Sequence, residues 1–406
     1  MLAILTTHPI QYQVPLWQAL AADGCVNFEV WYLSDHGMRP GYDPGFGKVF
    51  SWDLNMLEGY PHRFVRVSGA RDVGRFGLRL RDSMSSLVRS SGADALWING
   101  WQVQAYWQAA WQAAAMGMPL WLRGESNDLA TTPAWKRPFK RAALGQLFRR
   151  VNEFLCIGSA NKRLYQSYGV DTNRLQWAPY AVDNKRFGNA VRALRAGRAE
   201  IRRAWAIPED AWCVLFAGKL IDKKRPLDLV AALAKGAGGA GPKMHILFAG
   251  TGHLGASVRA ACDVRFDAED GQKTPRAVRS ARPPASFAGF LNQTEMPRAY
   301  AAADCLVLPS DHAETWGLVV NEAMASGLPC VVSNACGCSE DLVRPVDARL
   351  VFPVGNIAGL AASLRHLASA PPNERVLLDQ TERFSFTATV NVVKALRSKS
   401  SAVVRS

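Results

Sequence analysis

The chain is short of acid: 34 Asp and Glu stand against 48 Lys and Arg, leaving a formal net charge of +14 over 406 residues. Three kinds of anionic partner suit such an excess: nucleic acid, an anionic membrane surface, or phosphorylated substrates. No recognisable nucleic-acid-reading module is present, which sets the first aside. A long uncharged apolar run is also missing, so no segment reads as a membrane span. The opening run Leu2-Ala-Ile-Leu-Thr6 is too short for the apolar core of a signal peptide. Metal-ligand spacing is lacking among the eight cysteines, at 25, 156, 213, 262, 305, 330, 336 and 338. Cys336-Gly-Cys338 has no second Cys or His pair near it, which argues against a zinc site. Cys156, Cys213, Cys305 and Cys330 fall in strand-like apolar runs, where cysteine behaves as a small apolar residue. The pattern fits a reducing compartment, and the expected location is cytoplasmic.

What is present is a folded chain, with 49% hydrophobic and 20% charged residues, too long for one ordinary core. Most of the 13 Trp are expected to fill cores, though indoles also line sugar and headgroup surfaces. Strand-like and helix-like segments alternate, which argues for parallel sheets covered by helices. Strands are expected at 2–6, 28–33, 94–98, 119–123, 153–157 and 175–178, with helices at about 14–22, 102–116, 133–150 and 159–168. Ala178-Pro-Tyr-Ala-Val-Asp-Asn-Lys-Arg-Phe187 breaks the rhythm, and a second series follows, with strands at 214–217, 245–249, 286–288, 305–308 and 330–332. Residues 262–284 carry many charges without periodicity and read as an inserted surface loop; a last helix is expected over 385–398. The resulting domains are 1–185 and 186–380, with 381–406 a terminal helix packing back on the first.

One segment concentrates base. Lys136, Arg137, Lys140, Arg141, Arg149 and Arg150 are interleaved with Trp135, Phe139, Leu144, Leu147 and Phe148 near helical spacing, a basic amphipathic helix. A solvated surface helix is one reading. A peripheral membrane contact through 136–150, on the inner face of the plasma membrane, is the other.

The strongest chemical signal is Glu314-Thr-Trp-Gly-Leu-Val-Val-Asn-Glu322, two carboxylates eight positions apart around a helix start. Leu306-Val-Leu-Pro-Ser310 reads as a strand end and Gly317 as the opening of a helix to about Ser326. Backbone N–H groups near Trp316, Gly317 and Leu318 lie where donors lack intrahelical acceptors, and with the helix dipole they make an anion site. Glu314 is placed to reach sugar hydroxyls, and Glu322 to accept from a ribose. An ordinary helix-dipole partner and an exposed helix residue are the bland alternatives. Lys219 and Lys224 flank another strand-to-helix turn and are expected to face a diphosphate; Lys223 and Arg225 are neighbours that could take the second role.

Pro309-Ser310, Glu314-Thr-Trp-Gly-Leu, Asn321-Glu322-Ala-Met-Ala-Ser-Gly-Leu-Pro329 and Val331-Val-Ser-Asn resemble the donor-site block of family 4 retaining glycosyltransferases, with its E-x7-E motif. The likeness extends to Phe216-Ala-Gly218-Lys219 with Lys224-Arg-Pro, to Phe248-Ala-Gly250-Thr-Gly252, and to Phe287-Ala-Gly289-Phe, and covers residues 212–345. It implies the α/β GT-B fold, two Rossmann-like doubly wound domains facing a cleft. It also implies transfer of a sugar, with retention, from a nucleotide diphosphate sugar (a UDP-sugar first) to a glycan or lipid-linked acceptor. Gly218, Gly250, Gly252, Thr315, Trp316, Gly317, Leu318 and Glu322 would then bind the donor. Glu314, Lys219 and Lys224 would act on it. No Asp-x-Asp occurs to hold a divalent ion against a diphosphate, so neither metal nor cofactor is expected.

The first half departs from the family pattern. Thr7-His8-Pro-Ile-Gln11 stands where a Gly-Gly turn is usual, Glu125 falls where the family has a histidine, and Tyr180-Ala replaces Asn-Gly. Glu125 is the catalytic candidate on this side, and His8, Gln11 and Arg123 are acceptor-side candidates, each against an ordinary loop or buried-polar role. A nucleotide-sugar epimerase or phosphorylase, or a binder without turnover, remain as rival readings. An oxidoreductase is weaker, because neither glycine turn completes Gly-x-Gly-x-x-Gly with a following acid.

Overall fold

Short apolar runs such as Leu2–Thr6 and Cys305–Leu308 are buried along their whole length, as central parallel strands covered on both faces must be. The structure, a computed structural model, describes residues 1–69, 76–130, 132–236, 242–269 and 282–403. Fourteen of the described strands form two seven-stranded sheets, each parallel throughout, and two small two-stranded sheets stand apart. The chain divides into two compact α/β units. Met1–Gly41, Leu54–Tyr180 and Ser385–Ser406 make one, and Tyr42–Asp53 with Ala181–Phe384 make the other.

Strand order in the first unit is Leu175–Trp177, Glu153–Cys156, Leu120–Leu122, Ala95–Ile98, Leu2–Thr6, Phe28–Tyr32 and His62–Phe64. In the second it is Asp263–Asp267, Pro284–Gly289, Met244–Ala249, Trp212–Ala217, Cys305–Leu308, Cys330–Ser333 and Val351–Phe352. Each sheet starts in its middle, builds to one side, then returns to build the other. The order therefore reverses beside Leu2–Thr6 in the first sheet, and between Trp212–Ala217 and Cys305–Leu308 in the second. At such a reversal the loops leaving neighbouring strands diverge and open a crevice at the carboxyl ends. In the second unit those loops begin at Gly218 and Pro309.

Trp17, Trp31, Trp97 and Trp121 are at most 1% exposed, so these four indoles are core. Cys156, Cys213, Cys305 and Cys330 are buried as well, and burial pushes the Cys156 and Cys213 thiols up to about 12. The helix Phe386–Val403 belongs to the first unit. It buries Val390, Val393 and Leu396 and packs on Val14–Asp23, while Lys394 and Arg397 reach Asp23 and Asp94 at 2.9 and 2.7 Å.

Differences from the sequence reading lie where patterning is weak. The unit boundaries fall at 180/181 and 384/385. The segment Tyr42–Asp53, left with the first domain by sequence, gathers with the second; it is a hairpin of two three-residue strands, too short to declare a partner. The charged stretch after 262 hides a strand, Asp263–Asp267. Its aspartates are 4% exposed and each is held at 2.5 Å by an arginine, Asp263 by Arg265 and Asp267 by Arg259. The rest of that expected loop, 270–281, lies outside the described residues.

Candidate functional site

At the reversal point of the second sheet, Trp212–Ala217 ends in Gly218 and Met244–Ala249 in Gly250, with φ of 139° and 141°. Gly218 donates its N–H to the Ala249 carbonyl (2.9 Å), Leu220 to Thr251 (2.8 Å) and Gly250 to Gly289 (2.7 Å), so the turns are stitched side by side. A Cβ on Gly250 would lie 2.1 Å from the Gly218 carbonyl oxygen, and one on Gly252 2.5 Å from that of Leu220. Glycine is required here first by the neighbouring backbone.

Lys224 ends a short turn, Asp222–Lys224, and pairs with Glu314; the two side chains are 13% and 11% exposed. The Asp311 N–H donates to the Lys223 carbonyl at 2.8 Å, and that of Glu314 to Asp311 at 3.0 Å, which ties the two diverging loops together beneath the pair. Burial alone would push the Glu314 carboxyl up. The charge and hydrogen bond of Lys224, with the charge of Lys223, outweigh it and hold the group below its ordinary range. Arg225 is committed elsewhere, to Asp228 at 2.7 Å. Lys219 occupies the same carboxyl edge, 2.9 and 3.0 Å from the two carboxylate oxygens of Asp43 and 4.6 Å above the Phe46 ring.

Gly317, at φ 105°, starts the helix Leu318–Ala325, and a Cβ there would meet Leu308 at 2.6 Å. Thr315 and Leu318 flank it, half-buried. Trp316 is a strut: it is 3% exposed, donates its indole N–H to Asn321 (2.8 Å), and accepts from the Cys338 N–H (3.1 Å). Glu322 is not the exposed helix residue of the bland alternative. It is 1% exposed and accepts a hydrogen bond from the Tyr300 hydroxyl, facing the interior rather than solvent. The structure thus brings Lys224, Glu314 and the Gly317 helix start together, with Lys219 on the same edge beside Gly218 and Gly250. Sequence reasoning missed Asp43, Phe46 and the Tyr300–Glu322 bond. Asp43 lies 176 positions from Lys219 and no motif marks it.

In the first unit, Glu125 is exposed and accepts from Tyr180 at 2.5 Å. Two positions that depart from the family pattern are therefore bonded to each other. Burial first, then the Glu125 charge, push the Tyr180 hydroxyl well up, so it stays a donor. Arg123 is turned inward: it is 6% exposed, donates to the Pro179 carbonyl (3.2 Å) and lies 5.1 Å from the Tyr180 ring. His8 is half-buried against Thr7 (3.0 Å) and His36 (ring centroids 5.2 Å), and burial, then His36, lower it to about 4, so it is neutral at pH 7. Gln11 is half-buried in the same turn. Among the described residues, no group of three or more His, Cys, Asp or Glu is placed to hold a metal ion.

Comparison with known proteins agrees with this fold. The "Glycosyl transferase 4-like domain" family model matches residues 10–181 and "Glycosyl transferases group 1" matches 197–383. Relatives include glycogen synthase of Mycobacterium tuberculosis, 29% identical over 53% of this chain and 45% of its own. Another is D-inositol 3-phosphate glycosyltransferase of Thermomonospora curvata, 30% identical over 52% of this chain and 47% of its own. The chain thus spans less than half the length of these two curated relatives. Similar solved structures include sucrose-phosphate synthase from Thermosynechococcus elongatus, with a TM-score of 0.67, 16% identity and 99% of both chains covered. Anabaena HepE, solved with UDP and glucose, gives 0.65 at 15% identity, with 98% of this chain and 99% of its own covered. At such identities the structures speak to the fold alone. The two family models, which between them span nearly the whole chain, and the paired parallel sheets place the protein in the GT-B glycosyltransferase superfamily, among its family 4-like members.

Proposed function

We propose that the protein transfers a sugar from a nucleoside diphosphate sugar, UDP-linked in the first instance, to a glycan or lipid-linked acceptor, with retention and without a metal. The observation that carries this is the Lys224–Glu314 pair, buried at the reversal point of the second sheet beside the Gly317 helix start. Negative charge grows on the diphosphate as the glycosidic bond breaks. Lys224, Lys219 and the helix-start N–H groups are fixed donors that stabilise this charge more in the transition state than in the ground state. Glu314 is assigned the hydroxyls of the transferred sugar and Glu322 those of the ribose. Without an evident nucleophile, the leaving phosphate is assigned the acceptor proton. Glu125, His8 and Gln11 are assigned to the acceptor side. That Anabaena HepE was solved with UDP and with UDP-glucose supports UDP as the first nucleotide to try. The test incubates the protein with radiolabelled sugar nucleotides, with and without lipid-linked acceptor. Nucleoside diphosphate released only with acceptor supports transfer. Interconversion of the sugar without acceptor indicates an epimerase, and tight binding with no turnover a silent binder.

A second observation bears on the acceptor. The helix Arg137–Phe148 is anchored by Leu144, Leu147 and Phe148, yet Trp135 and Phe139 stand 69% and 74% exposed. Lys136, Arg137, Lys140 and Arg141 surround them, and no acid occurs between Asp128 and Glu153. Solvated surface helices do not need two outward aromatics; an interfacial one does. No described helix is long and apolar enough to cross a membrane. We therefore assign this face to an anionic membrane surface carrying the acceptor. Flotation should recover the protein with phosphatidylglycerol-containing vesicles and not with neutral ones. Trp135→Ser with Phe139→Ser should weaken binding roughly tenfold or more. Equal recovery of wild type and double variant would sink the assignment.

A further inference from the structure

The hairpin segment Tyr42–Asp53 makes two kinds of contact with the rest of the second unit. Its outer part is fastened by rings, hydrogen bonds and an ion pair: Phe46 and Phe50 lie 4.8 and 4.5 Å from the Phe290 ring, Phe46 accepts from the Thr251 hydroxyl at 2.6 Å, and Lys48 lies 3.2 Å from Glu269. Ser51 accepts from Asn292 at 2.8 Å, and Asp53 from the Thr294 N–H at 3.0 Å. Its inner part sets Asp43 on Lys219. Asp43 is held for that contact by the N–H groups of Gly45 (2.7 Å) and Phe46 (3.0 Å). A Cβ on Gly45 would lie 2.7 Å from the Lys219 ammonium, so the turn wraps this cation closely.

Resting on the donor-site reading above, we propose that Asp43 is a positioning residue of the donor site. It is an internal carboxylate that occupies Lys219 until the diphosphate of a nucleotide takes its place. Two anions compete for one ammonium. With the side chains of Lys219 and Asp43 30% and 31% exposed, the pair is weak enough to open. The other contacts keep the hairpin seated near Phe290 while Asp43 swings away. Donor and product therefore bind with an affinity lowered by the population of the closed pair.

Calorimetric titration of UDP, GDP and inorganic pyrophosphate into wild type, Asp43→Asn, Lys219→Met and the double variant tests this. Asp43→Asn, with Asp43→Ser as a second neutral replacement, should bind the diphosphate on the order of five- to tenfold more tightly. Its thermal midpoint should be unchanged or lower, since a contact is lost. In the Lys219→Met background, removing Asp43 should change nothing. A structural role for Asp43 would weaken binding instead, and unchanged or weaker binding overturns this inference while leaving the donor site standing. If neither wild type nor variant binds any of the probes, the donor-site reading falls, and this inference with it.

Discussion

Lys224→Ala is expected to lower kcat/KM for transfer by about two to three orders of magnitude, the loss typical of a fixed charge aimed at a developing anion. It should also invert the pH dependence of stability. In the wild type the Glu314 carboxyl titrates below its ordinary value of 4.5. Its contribution is thus present above that value and is lost as pH falls through the lowered one. Without Lys224 the opposing effect of burial is left, weakened by the Lys223 charge and the Ser310 hydrogen bond, and the carboxyl moves up. The folded state then holds a proton that the unfolded state releases near 4.5, so stability falls as pH rises from there. Near neutrality the variant should be less stable by about 3 kcal/mol, the order found when one partner of a buried pair is removed. Denaturant unfolding from pH 4 to 8 reads both effects. Lys224→Met with Glu314→Gln should recover most of the stability and none of the activity. A Lys224→Ala profile parallel to wild type would show that the pair does not carry the charge balance assigned to it.

Gly250→Ala is expected to destabilise the second unit by about 3 kcal/mol or more and to abolish nucleotide binding. Two costs add. The φ of 141° disfavours any side chain, and the new methyl would lie 2.1 Å from the backbone oxygen of Gly218, which cannot rotate away. Gly218→Ala shares the first cost but not the second, since its Cβ would meet only the Lys224 side chain at 3.8 Å. It should be the milder substitution by about 1–2 kcal/mol. Urea unfolding of the two variants settles the order; equal stabilities would mean that the stitching of the two turns is not what fixes glycine at 250.

Much of this was legible because parallel sheets write themselves plainly. Runs such as Leu2–Thr6, Trp212–Ala217 and Cys305–Leu308 must be apolar throughout, and the turns after them need glycine or proline. Glu314, Lys224 and Gly317 were found because each sits within a few residues of such a strand end. What could not be read is contact between distant, locally unremarkable residues. Nothing near Asp43 announces Lys219, and nothing near Glu322 announces Tyr300. Arg123 follows a buried strand as a ligand-facing residue would, and its inward turn shows only once the carbonyls at 178 and 179 and the Tyr180 ring are placed. Asp263–Asp267 was hidden by its own charges, which look solvated until the pairing arginines are placed.

The helix Phe386–Val403 is chemically plain, yet it governs how the molecule can be made. The first unit takes its last element from beyond the whole of Ala181–Phe384. During synthesis the second unit can close before the first has received the helix that covers Val14–Asp23. The first unit therefore cannot complete its fold until after the second has been synthesised, against the usual amino-to-carboxyl order of domain maturation. A fragment ending at Tyr180 would leave the ribosome with an apolar face open where Val390, Val393 and Leu396 belong.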